Sequence, residues 1–197
     1  MREAIFCLVV SVFLPFINRA QGPAEVPVFE ISQQASMIGF EVDASVTIQG
    51  TFDKWNASLT FTSPDPTTGI LNVKIQGDSV NTGSGMKDGK LKSEKFFDVE
   101  QDPWITFLSK KIVQTGPDTF DVLGDFTIRG VTRSETLKLT VPGKGTSEGE
   151  IRGTMAFDRK QYGMNSGIPF IRIADRVEVS VKLKVKRLSG PPLSLQQ

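Results

Sequence analysis

The chain has 197 residues, with 23 Lys and Arg against 22 Asp and Glu, a net formal charge of +1 and no His. That length fits one globular domain with room for a sizeable core, and the near-neutral balance gives no electrostatic ground for a nucleic-acid partner. A single cysteine, Cys7, and the absence of His exclude a disulfide framework, most structural zinc sites, Cys/His or Ser/His/Asp nucleophilic machinery and His-ligated haem.

In chain order, MREAIFCLVVSVFLPFINRA (residues 1–20) reads as a cleaved signal peptide. Arg2 supplies a short basic start, and Ala4 to Ile17 is an apolar run too short for a comfortable bilayer span. Cleavage is expected after Ala20, or after Ala24; a retained membrane anchor is the alternative. Cys7 lies inside the apolar run, which argues against a lipoprotein signal and leaves a mature chain without cysteine.

The next stretch, IGFEVDASVTIQ, alternates throughout: Ile38, Phe40, Val42, Ala44, Val46 and Ile48 are apolar, and Glu41, Asp43, Ser45, Thr47 and Gln49 are among the residues between them. A strand with this pattern has one apolar and one polar face. Similar alternation recurs at Ala57–Thr62, Leu71–Ile75, Phe120–Ile128, Leu137–Val141 and Val177–Lys186, separated by Gly, Pro and Asp turn signals. The pattern predicts an all-β protein, an antiparallel barrel of eight strands. A twelve-residue strand is about 40 Å long, which a tilted barrel uses naturally and which leaves no exposed edge.

Three segments depart from the alternation. Gly83–Asp98 is charged and predicts a short helix over 86–93, with Leu91, Phe96 and Phe97 tucked onto the barrel. Tyr162–Asp175 is long for a hairpin connection, as binding loops are. The tail 189–197 is expected to be disordered.

Alternation suits a soluble barrel and an outer-membrane barrel equally. Lys182, Lys184 and Lys186 decide between them: inside a small lumen they would crowd like charges, whereas on a soluble barrel they face water. The inward face is rich in Phe, which fits a packed core and also a lumen that holds one ligand. Glu41, Asp43, Asp121, Asp125 and Glu178 all fall on the outward face, so no pair of carboxylates is available for acid–base catalysis.

Four stretches carry a family resemblance: GTFDKWNASLTF (50–61), SVNTGSGMKDGKLKSEKFFDVEQDPWITFLSKKI (79–112), GDFTIRGVTRSETLKL (124–139) and FDRKQYGM (157–164). They resemble the YceI-like family of bacterial periplasmic, polyisoprenoid-binding proteins, and the likeness runs from about Val28 to Lys186. It implies a lipocalin-like lipid-binding barrel over 21–188 and a periplasmic location. It also implies an elongated apolar lumen for an isoprenoid chain, an isoprenoid quinone or a similar amphiphile, for transport or storage, with no further cofactor and no metal. The residues expected to line that lumen are Ile38, Phe40, Val42, Phe52, Leu59, Phe61, Phe107, Phe120, Phe126, Ile128, Met155, Phe157 and Phe170. Arg159 and Tyr162, with Arg172, are expected near the head group. Many members carry a His before the Leu-Arg-Ser step. This chain has Lys87-Asp88-Gly89-Lys90 before Leu91-Lys92-Ser93, so no role of that His carries over.

The partners expected are a long amphiphilic lipid, transient contact with a membrane, and a homodimer through an edge or the Lys182–Lys186 face. An enzyme acting on such a lipid and a ligand-free partner protein are the rival readings. Smaller features have plainer explanations. Arg129-Gly130 suits a tight turn, Trp55 and Trp104 suit packing, Asp158 and Arg159 suit an ion pair, and the sequon at Asn56 has no meaning expected in a bacterial periplasm.

Overall fold

The computed structural model describes residues 25–142, 147–165 and 172–195; the expected signal peptide and Phe170 lie outside the described residues. The elements in order are β1 (Val28–Ala44), β2 (Ile48–Phe52), β3 (Trp55–Thr60), β4 (Ile70–Gln76), β5 (Val80–Asn81), α1 (Gly85–Lys92), β6 (Trp104–Gln114), β7 (Thr119–Ile128), β8 (Val131–Thr140), β9 (Glu148–Asp158) and β10 (Ile173–Ser189). All pairings are antiparallel, in the order β3-β4-β6-β7-β8-β9-β10-β1-β2-β5.

Ten segments stand where eight strands were expected, and two kinks account for the difference. Only Asp53 and Lys54 separate β2 from β3, and one 3₁₀ turn, Gly77–Ser79, separates β4 from β5. Asp53 N–H donates to Ser79 O (3.1 Å) and Gln76 N–H to Lys54 O (2.9 Å), so the pairing carries across both kinks. Counted whole, these are two long strands of an eight-stranded barrel. The ends of the order, β3 and β5, are halves of strands whose other halves sit inside it, so the sheet closes on itself.

The run Ile38–Gln49 is not one strand. Its first part ends β1 and its last two residues open β2, with a tight turn between, so Val46 is exposed rather than inward. Alternation cannot register this turn, because Val42 and Ile48, which pair across it, keep the same inward parity on both sides. Instead of a glycine, the turn is held by Ser45, whose N–H donates to Arg172 O and whose hydroxyl accepts from Arg172 N–H. β1 is longer than expected but is broken by a bulge. Ser32 pairs with Lys184 and Met37 with Lys182, which sets four residues of β1 against the single Leu183 of β10. Ser36 Oγ fills the gap by accepting from Lys184 N–H (2.8 Å).

The apolar face is inside. Phe120, Val122, Phe126 and Ile128 alternate as buried residues along β7, while Lys182, Lys184 and Lys186 face water. Lys184 pairs with Glu150 (2.8 Å) and Lys186 with Glu148 (3.4 Å) across the outer surface. Gly124 marks the point where β7 passes the bulge in β6. A Cβ there would lie 2.5 Å from Leu108 O, and the bulge turns Ser109 inward to accept from Leu71 N–H (2.8 Å).

Arg129-Gly130 forms the expected tight turn with φ of 55° and 68°, both in the left-handed region that such hairpin turns require. Trp55 is buried, whereas Trp104 is exposed beneath Lys74 Nζ, 4.0 Å from its ring. The segment after Leu188, expected to be disordered, packs back: Ser194 N–H donates to Pro64 O (2.9 Å) and Leu195 lies against the core. The short apolar motif Pro-Leu-Ser-Leu explains this, since Leu195 gains by covering the end of the barrel.

Candidate ligand cavity

Antiparallel connectivity gathers four chain segments at one end of the barrel: the β1–β2 turn, the loop holding α1, the β7–β8 turn and the β9–β10 connection. Under α1 lies an apolar cavity of about 100 Å³. Its wall combines Ile38, Phe40 and Val42 of β1, Ile48 and Phe52 of β2, and Ile75 of β4 with Ile105, Phe126, Ile128 and Phe157 of the following strands. Ile173, Val177 and Val179 of β10 complete it, while Leu91, Phe96, Phe97, Lys87 and Lys90 cover it from the α1 segment. Phe40, Phe52 and Phe97 form an aromatic cluster with ring centroids 5.7 to 6.3 Å apart.

α1 is a weakly held cover. It has glycines at 85 and 89, its N-cap Ser84 makes no side-chain hydrogen bond, and none of its residues is fully buried. A Cβ at Gly85 or Gly89 would meet nothing within 4 Å, so packing does not require glycine at either place. Each costs about 1 kcal/mol of helix stability against Ala. What fixes α1 is Asp88, whose carboxylate accepts from Thr82 N–H (2.8 Å) and Thr82 Oγ (2.6 Å). The Oγ bond is the main cause that holds its pKa below the usual carboxylate value.

The expected site residues divide between this cavity and a solid core. Ile38, Phe40, Val42, Phe52, Phe126, Ile128, Phe157 and Arg159 border the cavity. Phe107, Phe120, Met155 and Tyr162 are buried in the core cluster away from the cavity, Leu59 is half-buried against it, and Phe61 is buried beside Phe29, with ring centroids 5.7 Å apart. Around Leu71, Ile112, Phe120, Val122, Leu137 and Leu183 the side chains are buried against one another in the core cluster. Among the described residues, the apolar cavity lies at the α1 end.

The cationic residues also differ from expectation. Arg159 is buried and pairs with Asp175 (3.2 Å), not Asp158, and donates to the carbonyls of Met164, Ile173 and Ala174. It staples the β9–β10 connection. Asp158 instead accepts from Lys160 N–H (2.9 Å) to cap the 3₁₀ turn that follows β9. Tyr162 is wholly buried and donates to Glu135 Oε1 (2.7 Å), and Arg172 is exposed beside Ser45.

Sequence reasoning did not name Ile75, Phe97, Ile105, Ile173, Val177 and Val179 as wall residues, or Lys87 and Lys90 as cover. The alternation of β10 was the available signal for Val177; no sequence signal separates the cavity wall from the core cluster. Among the described residues, no group of three or more His, Cys, Asp or Glu side chains converges as a metal site would require.

An eight-stranded antiparallel barrel with a helix covering an apolar cavity at one end defines the lipocalin-like class. The YceI-like domain model matches residues 29–185, so the chain belongs to the YceI-like family. A UPF0312 protein of Pseudomonas syringae pv. tomato is 29% identical over 133 residues, which span 65% of this chain and 69% of that one. Protein YceI of Salmonella arizonae is 34% identical over 98 residues, half of this chain and 51% of its own. In fold, BcnA of Burkholderia cenocepacia superposes with a TM-score of 0.71 at 22% identity, over 79% of this chain and 99% of that one. A polyisoprenoid binding domain from Saccharophagus degradans does so at 0.65 and 18% identity, over 82% of this chain and 99% of that one.

Proposed function

We propose that this protein is a secreted periplasmic binding protein that takes the apolar chain of an isoprenoid-type lipid, or of an isoprenoid quinone or similar amphiphile, into the α1 end of its barrel. The observation that carries the reading is the apolar cavity beneath a helix with no fully buried residue. A solved neighbour of the same fold described as polyisoprenoid-binding supports it, and the family likeness favours binding over catalysis.

The cavity's size sets the mechanism. At about 100 Å³ it is smaller than the roughly 150 Å³ that admits one benzene ring. A long chain therefore enters only when α1 lifts and the rings of Phe40, Phe52 and Phe97 turn aside. Burial returns about 0.8 kcal/mol per CH₂ against water, so a forty-carbon chain would gross on the order of 30 kcal/mol. That exceeds the roughly 18 to 21 kcal/mol at which non-covalent affinities saturate, and displacing the cover and ordering the chain consume the excess. Against a bilayer the net transfer lies near zero, which lets a carrier release as well as bind.

The test is organic extraction of the protein purified without detergent from a bacterial periplasm, followed by mass spectrometry. A stoichiometric isoprenoid or quinone is the expected result. A fatty-acid-type amphiphile would keep the barrel mechanism and change the ligand. An empty extract, repeated after incubation with membranes, would assign the whole interior to packing and overturn the reading.

A further inference from the structure

Among the described residues, every charged residue on the cavity wall is a cation: Lys87 and Lys90 of α1 and Arg159 border it, and no Asp or Glu does. The two lysines stand three positions apart, on one face of the helix.

Two acids beside these residues are already engaged. Asp88 is held by Thr82, and Asp175 pairs with Arg159 (3.2 Å) and Lys160 (2.8 Å). Arg159 spends its guanidinium on backbone carbonyls and Asp175. Among the described residues neither Lys87 nor Lys90 makes an ion pair. The stretch 166–171, SGIPFI, contains no carboxylate in its sequence. Lys87 is exposed and Lys90 half-buried. Their methylene stems can therefore lie along the apolar wall while the ammonium groups remain in water at the mouth.

An amphiphile seated chain-inward would place its head against these two ammonium groups. We propose that Lys87 and Lys90 select a ligand with an anionic head, a phosphate or a carboxylate, over a neutral alcohol or quinone head on the same chain. This rests on the chain-binding reading above. It assigns the head-group preference to the part of α1 where the chain departs from the His found in many family members.

The experiment measures binding of geranylgeranyl phosphate, geranylgeraniol and inorganic phosphate to the full chain and to a K87Q/K90Q variant. Glutamine keeps much of each stem and removes the charge, and circular dichroism and a melting curve confirm that the variant is folded. The wild type is expected to bind the phosphate ester roughly fivefold to tenfold more tightly than the alcohol at low ionic strength, the range for two partly screened ion pairs. The variant should bind the ester and the alcohol alike. Molar salt should erase the preference in the wild type, because the screening length falls to about 3 Å. Equal binding by the wild type, or a preference that survives in the variant, overturns the head-group proposal and leaves chain binding intact. Inorganic phosphate competing at the same concentrations would make this a free-anion site and also overturn it. Failure of both lipids to bind overturns the chain-binding reading itself.

Discussion

Tyr162 is the only tyrosine in the chain and has no exposed surface. It stacks edge-on against Phe126 and Phe157, with centroids 5.5 and 5.2 Å away, and donates to Glu135. Burial first, and then the hydrogen bond to Glu135, raise its pKa well above the usual phenol value. Its stabilising contribution is thus present below the unfolded pKa of about 10 and is lost as pH rises above it. Tyrosinate absorbance should stay flat through pH 10 and rise only together with loss of β-sheet circular dichroism. Tyr162→Phe should lower stability by about 1 kcal/mol in urea melts. Glu150 behaves in the opposite sense: hydrogen bonds from Lys184 and then Arg152 hold its pKa down to about 2. A depressed carboxylate stabilises above its unfolded pKa and loses that contribution as pH falls from about 4.5 towards 2. Melting temperatures of Glu150→Gln should accordingly fall less steeply over that range than those of the wild type.

At the scale of elements, the helix expected over 86–93 forms over Gly85–Lys92, with Phe96 and Phe97 buried behind it as expected. Charge and the loss of alternation made it legible. That it covers a cavity was not legible, because its only clearly apolar residue facing inward is Leu91 and the rest of its contact comes from lysine stems. If α1 must lift for loading, replacing its unneeded glycines should slow exchange. Gly85→Ala and Gly89→Ala together should raise stability by up to about 2 kcal/mol. They should also reduce the rates of uptake and release of a fluorescent fatty acid, measured by stopped flow. Unchanged rates in a stabilised variant would mean that the chain enters by another route.

Across the whole molecule the inward face has two environments, the core cluster and the cavity under α1. Val122 is wholly buried in the core cluster, whereas Val177 borders the cavity. Val122→Phe should overpack the core and cost about 1–3 kcal/mol or more in a denaturant melt. Val177→Phe should cost less, because its added ring can occupy existing space, and it should abolish binding of the fatty-acid probe. Comparable destabilisation at both sites would show that the α1 end is as tightly packed as the core cluster.

The sequence by itself determined that there is a barrel and which face of it is apolar. Period-two alternation dictates the two faces of each strand, and three lysines in a row on β10 leave only the outer face for charge. It also marked its own breaks, at the turn residues Arg129-Gly130 and in the charged segment of α1. Tertiary structure alone decided where that apolar face meets empty space. Phe40 and Phe120 have the same inward register, yet Phe40 borders the cavity and Phe120 packs in the core cluster away from it. The difference arises from what lies across the barrel, and strands far apart in sequence supply those neighbours. Likewise Arg159 looked available for a ligand until the fold placed three carbonyls and Asp175 around it. Alternation is a local property of one strand, whereas volume and charge neutralisation depend on every element that closes the ring.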